Sequence, residues 1–486
     1  MRMKIHKLLA LAICFPWLAS SSAHGQAIFT SLVSFTFTNA PDYGAFGVGS
    51  RSGAMVQAND GNLYGTTPTG GVVTDVPGYF GTIFKMTPEG AFTSLYLFGT
   101  VFAGGNDNGH WPQGNLIQGA DGNLKGTTQY GGPPNGGTVF QITSNGNLTT
   151  LYNFGNNAGF NSAEGWTNYD GDGPIGGLVE GRDGNFYGTT PSYGAYGNGT
   201  VFQLTPGGVL TTLHSFTALD SGNSYENTDG ANPSGELIQG TDGSFYGTTT
   251  QGGTNSYGSG TVFRITATGD FVTLHSFSLG NGGCLGGLVQ GHDGALYGTT
   301  SGGYGTVFQM TTNGDFTTLH AFSGSDGLEP FAGLILGSDG NLYGTTAGGG
   351  PTASYGTVFQ ITTNGTFTTL HAFSRTDGSN PNAALVQAVD GSFYGTTATG
   401  GPAGYGTIFH FVIPPAFQTI THTNGGIAFT WSAMPKQICQ LQYSTNLAST
   451  NWLDFGNPIT VANTSLFASD STATNSQRFY RIRLLP

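Results

Sequence analysis

Seven copies of a phrase built on D-G-[NSA]-[LF]-Y-G-T-T, each followed by G-T-[VI]-F, confine this chain to folds that repeat one supersecondary block. The copies open at Asp60, Asp121, Asp183, Asp242, Asp293, Asp339 and Asp390, at intervals of 61, 62, 59, 51, 46 and 51 residues. The block is constant and its loops are not. Around Asp339 it runs GLILG, a D-G turn, NLYGTT, a loop, GTVFQIT, a TNG turn and TFTTLHAF. Four runs rich in β-branched and aromatic residues are separated by Gly, Asn and Asp, with no apolar period of 3.6. Each block therefore predicts a four-stranded antiparallel sheet, its hairpins set by turns that need positive φ. Seven such sheets predict an all-β chain with a seven-bladed β-propeller over 28–413.

The last repeat lacks its fourth strand. After Gly406-Thr407-Ile408-Phe409 the chain reads HFVIPP, and no FTTLHAF follows. Phe29-Thr30-Ser31-Leu32-Val33-Ser34-Phe35 matches Phe316-Thr317-Thr318-Leu319-His320-Ala321-Phe322 position for position. Pairing this N-terminal strand with the seventh sheet would remove an open edge and close the ring.

Composition fits turn-rich β structure: glycine supplies 84 of 486 residues, and charged residues are 8% against about 25% in average domains. With a net charge of −13 and only 13 Lys and Arg, the chain has no basic stripe for nucleic acid. Residues 1–27 read as a secretory signal, with Arg2, Lys4 and Lys7 before an apolar run from Leu8 to Ala19 and small residues at Ala23 and Ala27. An exported protein is expected, in the periplasm, on the surface or secreted. No later apolar run reaches membrane-spanning length, and a monomer is expected. Cys284 and Cys439 fall in different expected domains, so no disulfide framework is read.

From Pro414-Pro415 the pattern changes. Segment 414–486 offers about six strand-like runs, with Trp431 early and Phe479-Tyr480-Arg481 late, and resembles a small fibronectin type III-like or immunoglobulin-like sandwich. DGNLYGTT, GG, GTVFQIT and FTTLHAF together resemble the GloVer tandem repeat of bacterial choice-of-anchor proteins, over roughly residues 28–413. The resemblance implies an exported repeat protein with a variable C-terminal anchor and brings no common activity. The tail Arg481-Ile482-Arg483-Leu484-Leu485-Pro486 lacks the apolar anchor and basic cluster of such members.

Several repeated polar residues have structural roles to fill. His214, His275, His320 and His371, with Tyr96 and Tyr152, share one position on the fourth strand. That strand lies roughly 14 Å outside the first, so these side chains cannot converge on one ion and are expected to pack between sheets. The Asp of each D-G turn suits an Asx-type turn, and Gln118, Gln239, Gln290 and Gln387, replaced by Glu180 and Leu336, suit amide bridges between neighbours.

Function is expected where repeats differ, on the face that carries the second-to-third loops and the connections between sheets. The long connections supply Asp107, His110 and Trp111; Glu164, Trp166, Tyr169, Asp170 and Asp172; and Asp220, Tyr225, Glu226 and Asp229. Rings beside carboxylates suit a sugar-binding surface, so the expected partner is a polysaccharide or cell-envelope component. The alternative is a polysaccharide lyase or hydrolase that draws an acid/base pair from His110, Glu164, Asp170, Asp172 and Glu226. No G-x-S-x-G, H-E-x-x-H, phosphate loop or C-x-x-C occurs, and no cofactor or metal is implied.

Overall fold

The structure is a computed structural model that describes residues 27–35, 53–69, 80–98, 108–155, 158–161, 165–220, 225–254, 258–278, 282–284, 286–351, 355–423, 426–446, 451–471 and 478–485. The expected signal sequence, residues 1–27, lies outside them except for Ala27. Every regular element is a strand, with no helix among the described residues. No helix there is long and apolar enough to cross a membrane.

Each repeat folds into an antiparallel sheet in chain order. The first consists of Val56–Gln57, Leu63–Thr67, Thr82–Met86 and Phe92–Leu97, and the pattern recurs through the sixth. The inner strand of each is only two residues long. In the fourth sheet Ala231–Pro233 adds a further pairing to Phe245–Gln251. The seventh has only Val386–Gln387, Phe393–Thr397 and Thr407–Val412 from its own repeat, and Ile28–Ser34 supplies the fourth strand, antiparallel to Thr407–Val412.

The repeated phrase is explained residue by residue in the sixth sheet. Asp339 Oδ1 accepts the Asn341 N–H at 3.1 Å and its Oδ2 accepts the Tyr343 hydroxyl at 2.8 Å, which fixes the turn. Gly340 follows with φ of 81°, a conformation that favours glycine. The Phe359 ring lies over Gly344, where a Cβ would come within 2.5 Å of Cζ. Thr345 donates to the Ala383 carbonyl of the next sheet, and Thr346 exchanges a buried hydroxyl bond with Thr357 at 2.8 Å. The second copy carries Lys125 where six copies have Tyr, and its ammonium bonds Asp121 at 2.7 Å in place of the hydroxyl. The Asp is thus a turn residue, as expected.

Neighbouring sheets pack face to face through buried aromatic and aliphatic rows. Val307, Phe322, Leu342 and Phe359, for example, join the fifth sheet to the sixth. The outer-strand histidines stack on the phenylalanine of the following sheet: His214 on Phe271 at 3.9 Å, His320 on Phe367 at 4.0 Å, and His371 on Phe29 at 3.7 Å. Phe29 therefore occupies the position that Phe316 and Phe367 occupy elsewhere. At the inner edge, Gln118 accepts the Asn59 N–H, Glu180 that of Ala120, Gln239 that of Arg182, Gln290 that of Thr241 and Gln387 that of Ser338. Gln57 of the first sheet accepts the Val389 N–H of the seventh at 2.8 Å. Phe35, Met55, Leu63 and Phe84 share one core with Tyr394 and Ile408, so the first and seventh sheets are packed neighbours.

Two further sheets follow. Ala416–Thr423, Gly426–Ser432 and Ser465–Asp470 form one; Ile438–Ser444 is central in the other, between Phe479–Leu485 and the short Leu453–Asp454 and Ile459–Thr460. Trp431, Phe429, Cys439 and Leu441 are buried between them. Met434, in the turn between Gly426–Ser432 and Ile438–Ser444, enters the core of the sixth and seventh repeat sheets beside Phe393 and Ile413.

Candidate functional site

The connections between sheets and the second-to-third loops lie on one face, because they pair with each other. His110 bridges Tyr130, Asp172 bridges Ser192, Leu328 bridges Gly348 and Ser379 bridges Thr399. His110 and Asp172 thus hold repeat positions through their backbones. Burial pushes the His110 imidazole below its ordinary range, and Phe80 meets its ring edge-on at 5.4 Å. The Asp172 carboxyl is pushed up, first by burial and then by the nearby Asp170.

Asp170 and Asp229, expected as ligand groups, are built into the scaffold instead. Asp170 is 1% exposed and accepts the Tyr152 hydroxyl at 2.6 Å. Asp229, 6% exposed, pairs with His214 at 3.0 Å and accepts the Thr217 N–H and hydroxyl. Burial alone would raise the Asp229 carboxyl; bonds from His214 and Thr217 hold it below the ordinary carboxylate range. The same bond joins His320 to Asp326 and His371 to Asp377, each at 2.9 Å, and Asn108 donates to Tyr96 in the first connection. The sequence carried this signal as a second recurring pattern, [DN]-G-x-x-P, at Asn108, Asp170, Asp229, Asp326 and Asp377.

Trp111 sits in that pattern immediately before Pro112. Its φ of 57° is matched by 54° in Asn232, 57° in Glu329 and 55° in Asn380, which precede Pro233, Pro330 and Pro381. A residue before proline normally prefers extended backbone. Here bonds hold the left-handed form: Trp111 N–H donates to Phe80 O, and Gln129 N–H to Trp111 O, both at 3.0 Å. The indole remains 38% exposed, with Tyr130 edge-on at 5.6 Å. Tyr169 and Tyr225 are exposed, Glu226 is half-buried and accepts the Asp220 N–H through its carbonyl, and the Trp166 backbone pairs with Phe160. Asp107 and Glu164 lie outside the described residues.

Eight large aromatic side chains are exposed among the described residues, and seven belong to this face: Trp111, Tyr130, Tyr169, Tyr193, Tyr196, Tyr225 and Tyr304. The eighth, Phe467, is in the C-terminal sheets. The face is therefore rich in rings that carry a polar atom.

The segments that enter the inner strands of the repeat sheets together line a cavity of about 300 Å³. Successive backbones approach so closely that side chains are excluded: a Cβ on Gly114 would lie 2.7 Å from Gly176 O, and one on Gly176 3.0 Å from Gly235 O. The next position reads Ala54, Asn115, Gly177, Glu236, Gly287, Gly333 and Ala384. Glu236 reaches from the fourth sheet to the second, where Asn115 Nδ2 donates to Oε2 at 2.6 Å and Asn115 Oδ1 in turn accepts the Ala54 N–H. It crosses the third sheet at Gly177, where a Cβ would fall 1.8 Å from Oε1. Burial pushes its carboxyl up to about 7. The sequence signal for Glu236 is a faint one, a single charged residue in a column otherwise Ala, Gly or Asn. Among the described residues no group of three or more His, Cys, Asp or Glu could hold a metal ion.

Repeated four-stranded sheets around a shared cavity define a propeller-like all-β repeat protein. The chain belongs to the Gloeobacter/Verrucomicrobia repeat family, whose model matches residues 21–172, 166–304 and 301–430. No curated protein matches it. Solved structures with similarity include a gluconolactonase from Xanthomonas campestris, 14% identical over 63% of this chain and 88% of that one, TM-score 0.39. The periplasmic gluconolactonase PpgL of Pseudomonas aeruginosa is 13% identical over 86% and 98%, TM-score 0.40. A puromycin-hydrolyzing peptidase of Mycobacterium tuberculosis is 10% identical over 86% and 62%, TM-score 0.44. At such distances the activities in those names stay with those proteins.

Proposed function

We propose that this chain is an exported, non-catalytic binding protein: a seven-bladed propeller closed by strand Ile28–Ser34, whose loop face engages a polysaccharide or other cell-envelope glycan. The observation that carries the reading is the concentration of exposed aromatic rings on that face, seven of the eight among the described residues. Rings cover the apolar faces of sugars while their hydroxyl and indole groups, with nearby amides, take sugar hydroxyls. The C-terminal sandwich, read as fibronectin type III-like, then serves as a spacer docked through Met434. A glycosidase would need two accessible carboxyls, and the burial of Asp170 weighs against that residue as one of the pair.

The test is a binding screen of the exported protein on insoluble polysaccharides and envelope preparations, followed by variants against one retained glycan. Trp111→Ala and a Tyr193→Ala/Tyr196→Ala double variant are expected to weaken binding by roughly 1–3 kcal/mol with little change in melting. His320→Ala should lower the melting temperature, through loss of its Phe367 stack and Asp326 bond, and spare affinity. Retention that is indifferent to all three ring substitutions would remove the loop face as the site.

A further inference from the structure

The cavity at the centre of the repeat sheets is rich in acceptors and poor in cations. Glu236 is the one charged side chain in its lining, and no other titratable side chain faces it there. Asn115 satisfies Oε2, while Oε1 has no hydrogen bond among the described residues. Asn382 Oδ1, shielded from solvent on the seventh sheet's side, has no partner either. The lining carbonyls of Gly176 and Ala332 each accept one threonine hydroxyl, at 3.0 and 3.1 Å, and a carbonyl has two lone pairs. The remaining wall combines Gln113 and Ser234 with the apolar Leu116, Ile117, Phe331, Leu334 and Val386. A carboxylate partly withdrawn from water without a counter-charge is costly, and no described residue supplies one here.

We propose that this cavity binds a small primary amine carried on an apolar body, with Glu236 as its counter-charge. An ammonium has three donors to place and no acceptor, which matches a lining of one carboxylate and several uncharged oxygens. The apolar body covers the aliphatic wall. A hard metal ion suits the cavity less well, because calcium takes 6–8 oxygen ligands and draws on several carboxylates. The net charge of −13 also favours a cation at the mouth. The inference does not rest on the reading of the loop face.

The experiment is calorimetric titration of the whole protein with cyclohexylamine and butylamine, and with cyclohexanol and butanol as neutral counterparts. Both amines should bind at pH 8 and at least tenfold more weakly at pH 5.5, since the Glu236 carboxyl, pushed up to about 7, is protonated there. The alcohols should bind at least tenfold more weakly than the amines at pH 8. Glu236→Gln, checked for native circular dichroism, should lose at least tenfold in amine affinity, whereas Trp111→Ala should leave it unchanged. The proposal fails if neither amine binds at pH 8, or if Glu236→Gln binds them as the native protein does. It fails equally if calcium chloride gives a Glu236-dependent signal while the amines give none.

Discussion

At the scale of single residues, Glu236 is the place where chemistry and stability conflict. Its carboxyl is pushed to about 7 in the folded chain against an ordinary value of 4.5, because burial in the glycine-lined cavity disfavours the charge. Between those values the folded state keeps a proton that the unfolded state has released, so this group's contribution falls as pH rises from about 4.5 to about 7 and stays low above. Glu236→Gln removes the penalty. The variant is expected to match the native protein near pH 4.5 and to exceed it at pH 8 by on the order of 1–3 kcal/mol, read from urea midpoints at both pH values. An equal difference at both pH values would show that the carboxylate is not penalised. The contrast with Asp229 is instructive: Asp229 is the more buried of the two carboxyls, but His214 and Thr217 bond its charged form, and its carboxyl is held low.

At the scale of elements, the N-terminal strand completes the seventh sheet. Ile28–Ser34 pairs with Thr407–Val412, Phe35 N–H donates to Gly406 O at 3.0 Å, and Phe29 stacks on His371. Deleting residues 28–35 removes a ladder, two core phenylalanines and a covered sheet edge. Stability should drop by several kcal/mol, on the order of 5, and the exposed edge should promote association. Denaturation and light scattering of the truncated protein check both; a truncated chain that melts like the native one would contradict the strand's role. The displaced FTSLVSF phrase made this pairing legible in sequence, because the same phrase forms the outer strand of the other six sheets.

At the scale of the whole molecule, the repeat sheets and the two C-terminal sheets are joined by more than a linker. Met434 is fully buried among Phe393, Phe411 and Ile413, and Gln437 Nε2 donates to the Ile413 carbonyl at 3.0 Å. Met434→Ala should therefore cost about 2–4 kcal/mol at the junction. In calorimetry the native protein is expected to show one transition, and the variant two separated ones as the C-terminal sheets uncouple. A variant that keeps a single transition at the native temperature would show that Met434 adds nothing to the coupling.

The sequence by itself determined the all-β repeat sheets, the turn role of the D-G aspartates and the inter-sheet use of Gln118, Gln239, Gln290 and Gln387. These follow from local turn chemistry and from a period repeated seven times, each copy reporting the same requirement. Only the tertiary structure decided which polar residues are available for a ligand. Asp170 and Asp229 looked like departures from the repeat, but variable loop lengths hid their alignment with Asp326 and Asp377, and their bonds to Tyr152 and His214 cross from one segment to another. Glu236 was overlooked for the complementary reason. One charge in a glycine-rich column means little along the chain, and it becomes a half-buried carboxylate on a cavity wall only when segments from seven distant sheets converge around it.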